Sequence, residues 1–191
     1  WELRTFSQSN IDKENNYSGP LVPPGKYNVH LEKFENDKLE KITNTKIFNI
    51  IQIGSNSSQE EREILYDFQI KFDKLLSDVN NLVNDINNEI ERIDGEINKS
   101  LNLSSETDLE IINKKKGEIM DLKMILTGTG SLNYADVFSG SPPSVQRRLG
   151  NMNWELYNTT SKPTNTHLNS YYISKNKYEE VLLKFNNLID N

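Results

Sequence analysis

The chain has 191 residues, a net charge of −6, 26% charged and 35% hydrophobic residues, and no cysteine, with a mean hydropathy of −0.70. The acidic balance argues against nucleic acid, which asks for a basic face, and against docking on anionic lipid. No apolar run approaches the roughly 18 residues that a membrane-crossing helix needs, and without cysteine no disulfide framework is available.

Up to about residue 55 the pattern has period two. Trp1 to Arg4 reads as a short strand and residues 7 to 18 as a polar loop. A chain that opens on a tryptophan inside a strand-like run reads as one whose beginning, export signal included, lies elsewhere. Gly19 to Lys26 is rich in proline and glycine and leads into Tyr27, Val29 and Leu31. These alternate with Lys26, Asn28, His30 and Glu32, which predicts a half-buried strand. Phe34 to Lys38 predicts a turn with Asn36-Asp37 at its tip. Leu39 to Ile53 carries a second strand, clearest from Thr45 onward. Two or three strands alone are marginal in water, so these need partner strands from upstream or a surface to lie on.

Beyond residue 55 the period becomes helical. Ser57 and Glu60 have the spacing of a capping box. Leu65, Phe68, Phe72, Leu75, Val79, Leu82, Ile86, Ile90, Ile93 and Ile97 follow in steps of 3 or 4, a sustained heptad seam. A helix over 58–101 is about 65 Å long at 1.5 Å per residue, and such a rod needs a neighbour. The next segment supplies one. Ser104 to Asp108 reads as turn and cap, and Leu109, Ile112, Ile119, Leu122 and Leu126 resume the helical spacing. Lys114-Lys115-Lys116-Gly117 interrupts that second seam, Gly117 at about 1 kcal/mol. This helix covers half of the first, giving an antiparallel long-helix hairpin whose other half needs further cover.

Residues 127 to 141 read as a glycine- and serine-rich loop. Ser141-Pro142-Pro143-Ser144 predicts a cap with proline in the first helical positions, and Val145, Leu149, Met152 and Leu156 share one face. Ser161 to Thr166 reads as a linker. Leu168, Tyr171, Tyr172, Tyr178, Leu182, Phe185 and Ile189 form the stripe of a last helix. The expected class is α+β: residues 1–54 a partial antiparallel β-sandwich, residues 55–191 a helical bundle with a long coiled-coil hairpin.

No chemistry stands out against this background. His30 and His167 have no second histidine or cysteine at ligand spacing. Glu60-Glu61, Glu89 with Glu91, and Glu179-Glu180 could serve a glycosidase only if two carboxylates faced each other across a cleft; on a helix they read as solvated charges. Gly128-Thr129-Gly130-Ser131 lacks the lysine ending of a phosphate loop and follows no strand. Arg147-Arg148 has the placing to grip an anion near a helix start, but one of the pair reads as a partner for the acidic long helix. Tyr171, Tyr172 and Tyr178, a conceivable sugar-stacking platform, have the spacing of core and rim residues. No catalytic, cofactor-binding or metal-ligating residue is assigned.

Three motifs carry a resemblance. Trp1-Glu2-Leu3-Arg4 is similar to a tryptophan-X-leucine-arginine strand. Gly19-Pro20-Leu21-Val22-Pro23-Pro24-Gly25-Lys26-Tyr27 is similar to a glycine-proline, proline-glycine-X-tyrosine strand lead-in. Pro142 to Leu149 (PPSVQRRL) with Lys162-Pro163-Thr164 resembles a closing helical pair. Together, in this order, they resemble the C-terminal region of bacterial exported proteins with a sortilin-like, vacuolar-sorting-receptor type β-propeller, commonly labelled glycosyl hydrolases and frequent in Bacteroidota. The resemblance implies an immunoglobulin-like sandwich completed by strands before Trp1. It also implies a four-helix bundle, an upstream propeller in the same protein, and a periplasmic, outer-membrane-associated or secreted location. It implies a non-catalytic structural and interaction module. Two alternatives stand beside it: part of a glycan-hydrolysing enzyme whose active site lies in the propeller, and an adaptor docking on another envelope protein through the helical hairpin. The label of the family rests on fold analogy, so no catalytic residue is carried over. The polar loop at 7 to 18 is longer than the family pattern.

Overall fold

The computed structural model describes residues 4–6, 18–54, 56–100, 106–129 and 142–190. Within them the chain is mixed α+β and mostly helical. The strands are β1 (Arg4–Phe6), β2 (Ser18–Leu21), β3 (Gly25–Val29), β4 (Glu32–Glu35), β5 (Lys38–Lys41) and β6 (Lys46–Ile50). The helices are α1 (Gln59–Ser100), α2 (Glu106–Thr127), α3 (Val145–Tyr157) and α4 (Asn165–Ile189).

The strands pair as three separate antiparallel ribbons, β1 with β2, β3 with β6 and β4 with β5. The last two are halves of one long hairpin. His30 and Leu31 separate them on one arm, and Ile42 to Thr45 on the other. This uneven join is held by the Ile42 N–H donating to the Leu31 carbonyl at 2.9 Å and the Leu31 N–H donating to Thr43 Oγ1 at 2.8 Å. At the tip Asn36 and Asp37 take φ of 53° and 59°, the left-handed pair that a two-residue hairpin turn requires. Glu32 faces Lys41, Lys33 faces Glu40 and Glu35 faces Lys38 across the outer ribbon, and opposite charges in register favour that pairing.

The expected half-burial of the first long strand is corrected. Tyr27 is half-buried and stacks obliquely on Phe48 at 5.9 Å between ring centres, but Val29 and Leu31 are more than half exposed. Among the described residues the two strands have no second layer to alternate against, so these two positions lie open. The second strand is also shorter than expected, since Ile51 to Ile53 lie beyond β6. Of the first predicted strand, Trp1 to Leu3 and most of the following loop lie outside the described residues. β1 covers Arg4–Phe6, and β2 seats the buried Gly19 and Pro20 beside α1.

The heptad seam is as expected. Leu65, Phe68, Phe72, Leu75, Val79, Leu82, Ile86 and Ile93 are buried, and Ile90 and Ile97 pack against them. The α1 cap forms one residue later than the sequence suggested. Ser58 Oγ accepts from the Glu61 N–H and Glu61 Oε2 accepts from the Ser58 N–H, both at 3.1 Å. Ser57 is drawn away instead, its Oγ lying 2.9 Å from Thr160 Oγ1.

α2 runs through Lys114 to Gly117 without a break, so the interruption costs propensity but not continuity. It ends at Gly128, whose φ of 78° and N–H bond to the Met124 carbonyl at 2.8 Å make a left-handed cap. In α3 the cap is Ser144, and Pro142 and Pro143 precede it rather than opening the helix.

Lys116 reaches Asp94, placing α2 antiparallel to the C-terminal half of α1. Gln146 reaches Asn80 at 3.1 Å and Gln69 reaches Leu156 at 2.7 Å, placing α3 antiparallel to the N-terminal half. α4 touches α1, α2 and α3, so it splints the place where α2 and α3 meet end to end. The buried stripe of α4 is His167, Ser174, Val181 and Phe185, with Leu168, Tyr171, Tyr178, Leu182 and Leu188 partly buried. Tyr172, expected in the stripe, is 58% exposed, and Ile189 is 42% exposed.

Candidate functional site

Two places in this fold depart from a plain packed bundle. One is the hairpin of β3 to β6, along which Val29, Leu31, Phe34, Leu39, Ile42 and Ile47 stand open, with Ile51 and Ile53 just beyond it, while Phe48 and Ile50 are half-buried. Phe34 and Leu39 face each other on the outer ribbon and both are exposed, as are Ile47 at 72% and Ile53 at 84%.

The other is the seam where the β1–β2 ribbon meets α1 and the end of α3. There Arg4, Arg62, Leu65, Gln69, Tyr157 and Thr159 surround a void of about 10 Å³, room for one sphere of about water size. Arg4 is placed by its own ribbon: Nη1 donates to the Gly19 carbonyl at 3.4 Å, and the neighbouring Thr5 hydroxyl donates to the Pro20 carbonyl at 3.3 Å. Arg62 comes from the first turn of α1, its N–H bonded to the Ser58 carbonyl at 3.2 Å. Its Nε is fully buried and has no hydrogen-bond acceptor among the described residues. Tyr157 comes from the last turn of α3. Burial raises its hydroxyl well above the ordinary tyrosine range, the Asp73 carboxylate raises it further, and Arg4 opposes them. Asp73, one turn along α1 from Gln69, is itself only 3% exposed. The site therefore presents two guanidinium groups and a tyrosine held protonated, beside one buried carboxylate.

The residues singled out from sequence are scattered. His30 is exposed and meets Glu32 at 2.8 Å. His167 is buried as the third residue of α4, where it completes a capping box with Thr164. Its Nδ1 accepts from the Thr164 N–H at 3.3 Å, so in the neutral ring Nε2 is the donor to Glu155 Oε2 at 2.8 Å. Glu89 holds Arg92 through two bonds of 2.7 and 2.8 Å, and these hold its carboxyl below the usual range. Glu180 binds Lys177 and Lys184, each at 2.8 Å, which lowers its carboxyl to about 2. Glu89 and Glu180 thus each have a basic neighbour on their own helix, whereas Glu61 closes the α1 cap at Ser58.

Arg147 and Arg148 make no ion pair with α1 among the described residues; the polar link there is Gln146 to Asn80 instead. Tyr171 packs edge-on against Phe68 at 5.4 Å and against Tyr172 at 5.5 Å. Gly130 and Ser131 lie outside the described residues, and Gly128 serves as the α2 cap. Among the described residues no group of three or more His, Cys, Asp or Glu is placed to hold a metal ion, and no helix is long and apolar enough to cross a membrane.

Sequence reasoning missed the void and the buried polar groups Gln69 and Asp73. Both occupy α1 positions beside seam residues, where a polar letter reads as solvent-facing. Comparison with protein-family profiles, with curated proteins and with solved structures returned no match.

Proposed function

We propose that this chain is a non-catalytic structural and interaction module that braces and presents rather than reacts. The observation that carries the reading is the open hairpin. A two-stranded ribbon is marginal in water by itself, and this one leaves Phe34, Leu39, Ile47 and Ile53 exposed. Contiguous exposed apolar surface marks an interaction site.

The covering surface in this reading is an upstream β-propeller of the same exported protein. Strands contributed from that side complete an immunoglobulin-like sandwich with the ribbons, and the helices behind act as an antiparallel four-helix bundle. The order of the motifs from Trp1 to Thr164 supports the likeness to the C-terminal region of sortilin-like propeller proteins, and any glycan-directed chemistry of the parent then belongs to the propeller.

The reading frame upstream of Trp1 is expected to encode repeated propeller blades. Hydrogen exchange of the longer protein is expected to slow amide exchange over residues 25 to 50 relative to this chain alone. A frame without blades, or a hairpin that exchanges equally fast in both, rules the reading out.

A further inference from the structure

The two faces of the outer ribbon, β4 with β5, are chemically unlike. Directly opposed residues share a face, and so do residues two apart along a strand. The register therefore puts Lys33, Glu35, Lys38 and Glu40 on one face. That face is charged throughout and balanced within itself, with Lys33 and Glu35 paired at 2.6 Å. Glu32, Phe34, Leu39 and Lys41 make the other face. There Phe34 and Leu39, 67% and 68% exposed, stand beside one acid and one base. Glu32 Oε1 lies 2.8 Å from His30 Nε2, and the Lys41 ammonium donates to Thr45 Oγ1. Among the described residues Glu32 has no lysine or arginine partner and Lys41 has no carboxylate.

This second face is complementary to itself. A two-fold axis parallel to the strands and above the face carries β4 of one copy over β5 of the other. Glu32 then meets Lys41 of the second copy, and Lys41 meets the Glu32 of that copy. Phe34 of each copy packs on Leu39 of the other. We propose that this face is a self-association surface, and that its occupant is the same face of a second copy of this chain in an isologous two-fold contact. The apolar pair drives the contact by leaving water, and the crossed charges fix its orientation and register. Strands of four residues fall short of the about 1,200–2,000 Å² that a standard interface buries, so the contact is weak and builds up with concentration. It occupies the outer ribbon only. The inner ribbon, with Ile47, stays open to the upstream propeller proposed above, and self-association needs no other part of a parent protein.

The test is sedimentation equilibrium of this chain over rising concentration. The average mass is expected to climb from monomer toward dimer. Glu32→Lys leaves two basic groups on the face, and Lys41→Glu leaves two acidic ones. Each is expected to weaken self-association about tenfold or more. An equimolar mixture of the two variants is expected to associate as the wild type does, because the basic face of one meets the acidic face of the other. A change of hairpin stability inside either variant does not recover on mixing, so the mixture separates contact between copies from folding. A wild type that stays monomeric, single variants that associate as the wild type does, or a mixture no heavier than its components overturns the proposal. None of these outcomes bears on whether propeller blades precede Trp1.

Discussion

The side-chain amide of Gln69, 5% exposed in α1, donates to the carbonyl of Leu156 in the last turn of α3, 2.7 Å away. That carbonyl is one that a helix end leaves without an intrahelical partner. Its neighbours are satisfied locally: Asn158 donates its side chain to the Trp154 carbonyl at 2.7 Å and its N–H to the Glu155 carbonyl at 3.3 Å. Gln69 thus completes the α3 terminus from another helix. Gln69→Met keeps the volume and removes the donor. It is expected to destabilise by about 1–3 kcal/mol, the cost of a buried unpaired acceptor, read from denaturant midpoints at unchanged slope.

The seam of α1 supplies the largest single contributions. Phe72 is fully buried, and Phe72→Ala is expected to cost about 3–5 kcal/mol through lost transfer energy and a residual cavity. Leu82→Asp, which buries a charge in the same seam, is expected to abolish cooperative unfolding. Far-ultraviolet circular dichroism during heating measures both, and a wild-type melting curve for Leu82→Asp contradicts the packing described.

Ser174 is 1% exposed, and its hydroxyl has no hydrogen-bond partner among the described residues. Ser174→Ala removes a buried polar group that nothing satisfies and adds helix propensity. The variant is expected to equal or exceed the wild type in stability, by up to about 1 kcal/mol, whereas most buried substitutions destabilise. A fall in Tm means that the hydroxyl has a partner.

The alkaline limit follows from the tyrosines. Burial raises the pKa of Tyr157 above the ordinary value of 10.0, and it raises Tyr171 and Tyr178 in the same direction. A folded-state pKa above the unfolded one means the stabilisation is fully present below pH 10 and is lost as pH rises toward the folded value. Tm is expected to hold up to about pH 10 and to drop as pH rises beyond it, and the drop is expected to be shallower in Tyr157→Phe. Identical pH profiles for the two proteins refute the assignment.

Substitutions on the open hairpin are expected to behave oppositely to those in the seam. Phe34→Thr with Leu39→Thr removes exposed apolar groups that face each other and join no core among the described residues, so each is expected to move stability within about 0.5 kcal/mol. The doubly substituted protein is expected to show less self-association in light scattering at high concentration.

These contrasts show where sequence was informative. The seam from Leu65 to Ile97 is legible because burial on a long helix repeats every three or four residues. The Asn36-Asp37 tip is legible because few residues tolerate that backbone. The α4 stripe was misread at Tyr172 because two of its buried positions, His167 and Ser174, are polar and carry no hydrophobic signal. The cap of α1 slipped by one residue because Ser57 and Ser58 are chemically equivalent, and a tertiary contact with Thr160 decides between them. Tyr27, Val29 and Leu31 predict a half-buried strand that the structure leaves largely open, because alternation records which side chains share a face, not whether anything covers that face. The junction of Arg4 with Arg62 was invisible because no spacing rule links residues joined only by the tertiary fold.

The splint formed by α4 has a mechanical consequence. α2 and α3 lie end to end along α1, so the rod has a joint at its middle on one side, and α4 crosses that joint while touching both pieces. Tension applied at one end of α1 is carried past the break instead of opening it. The two halves are therefore obliged to melt together, and a cut placed between α2 and α3 should leave a nicked rod that still unfolds in one step.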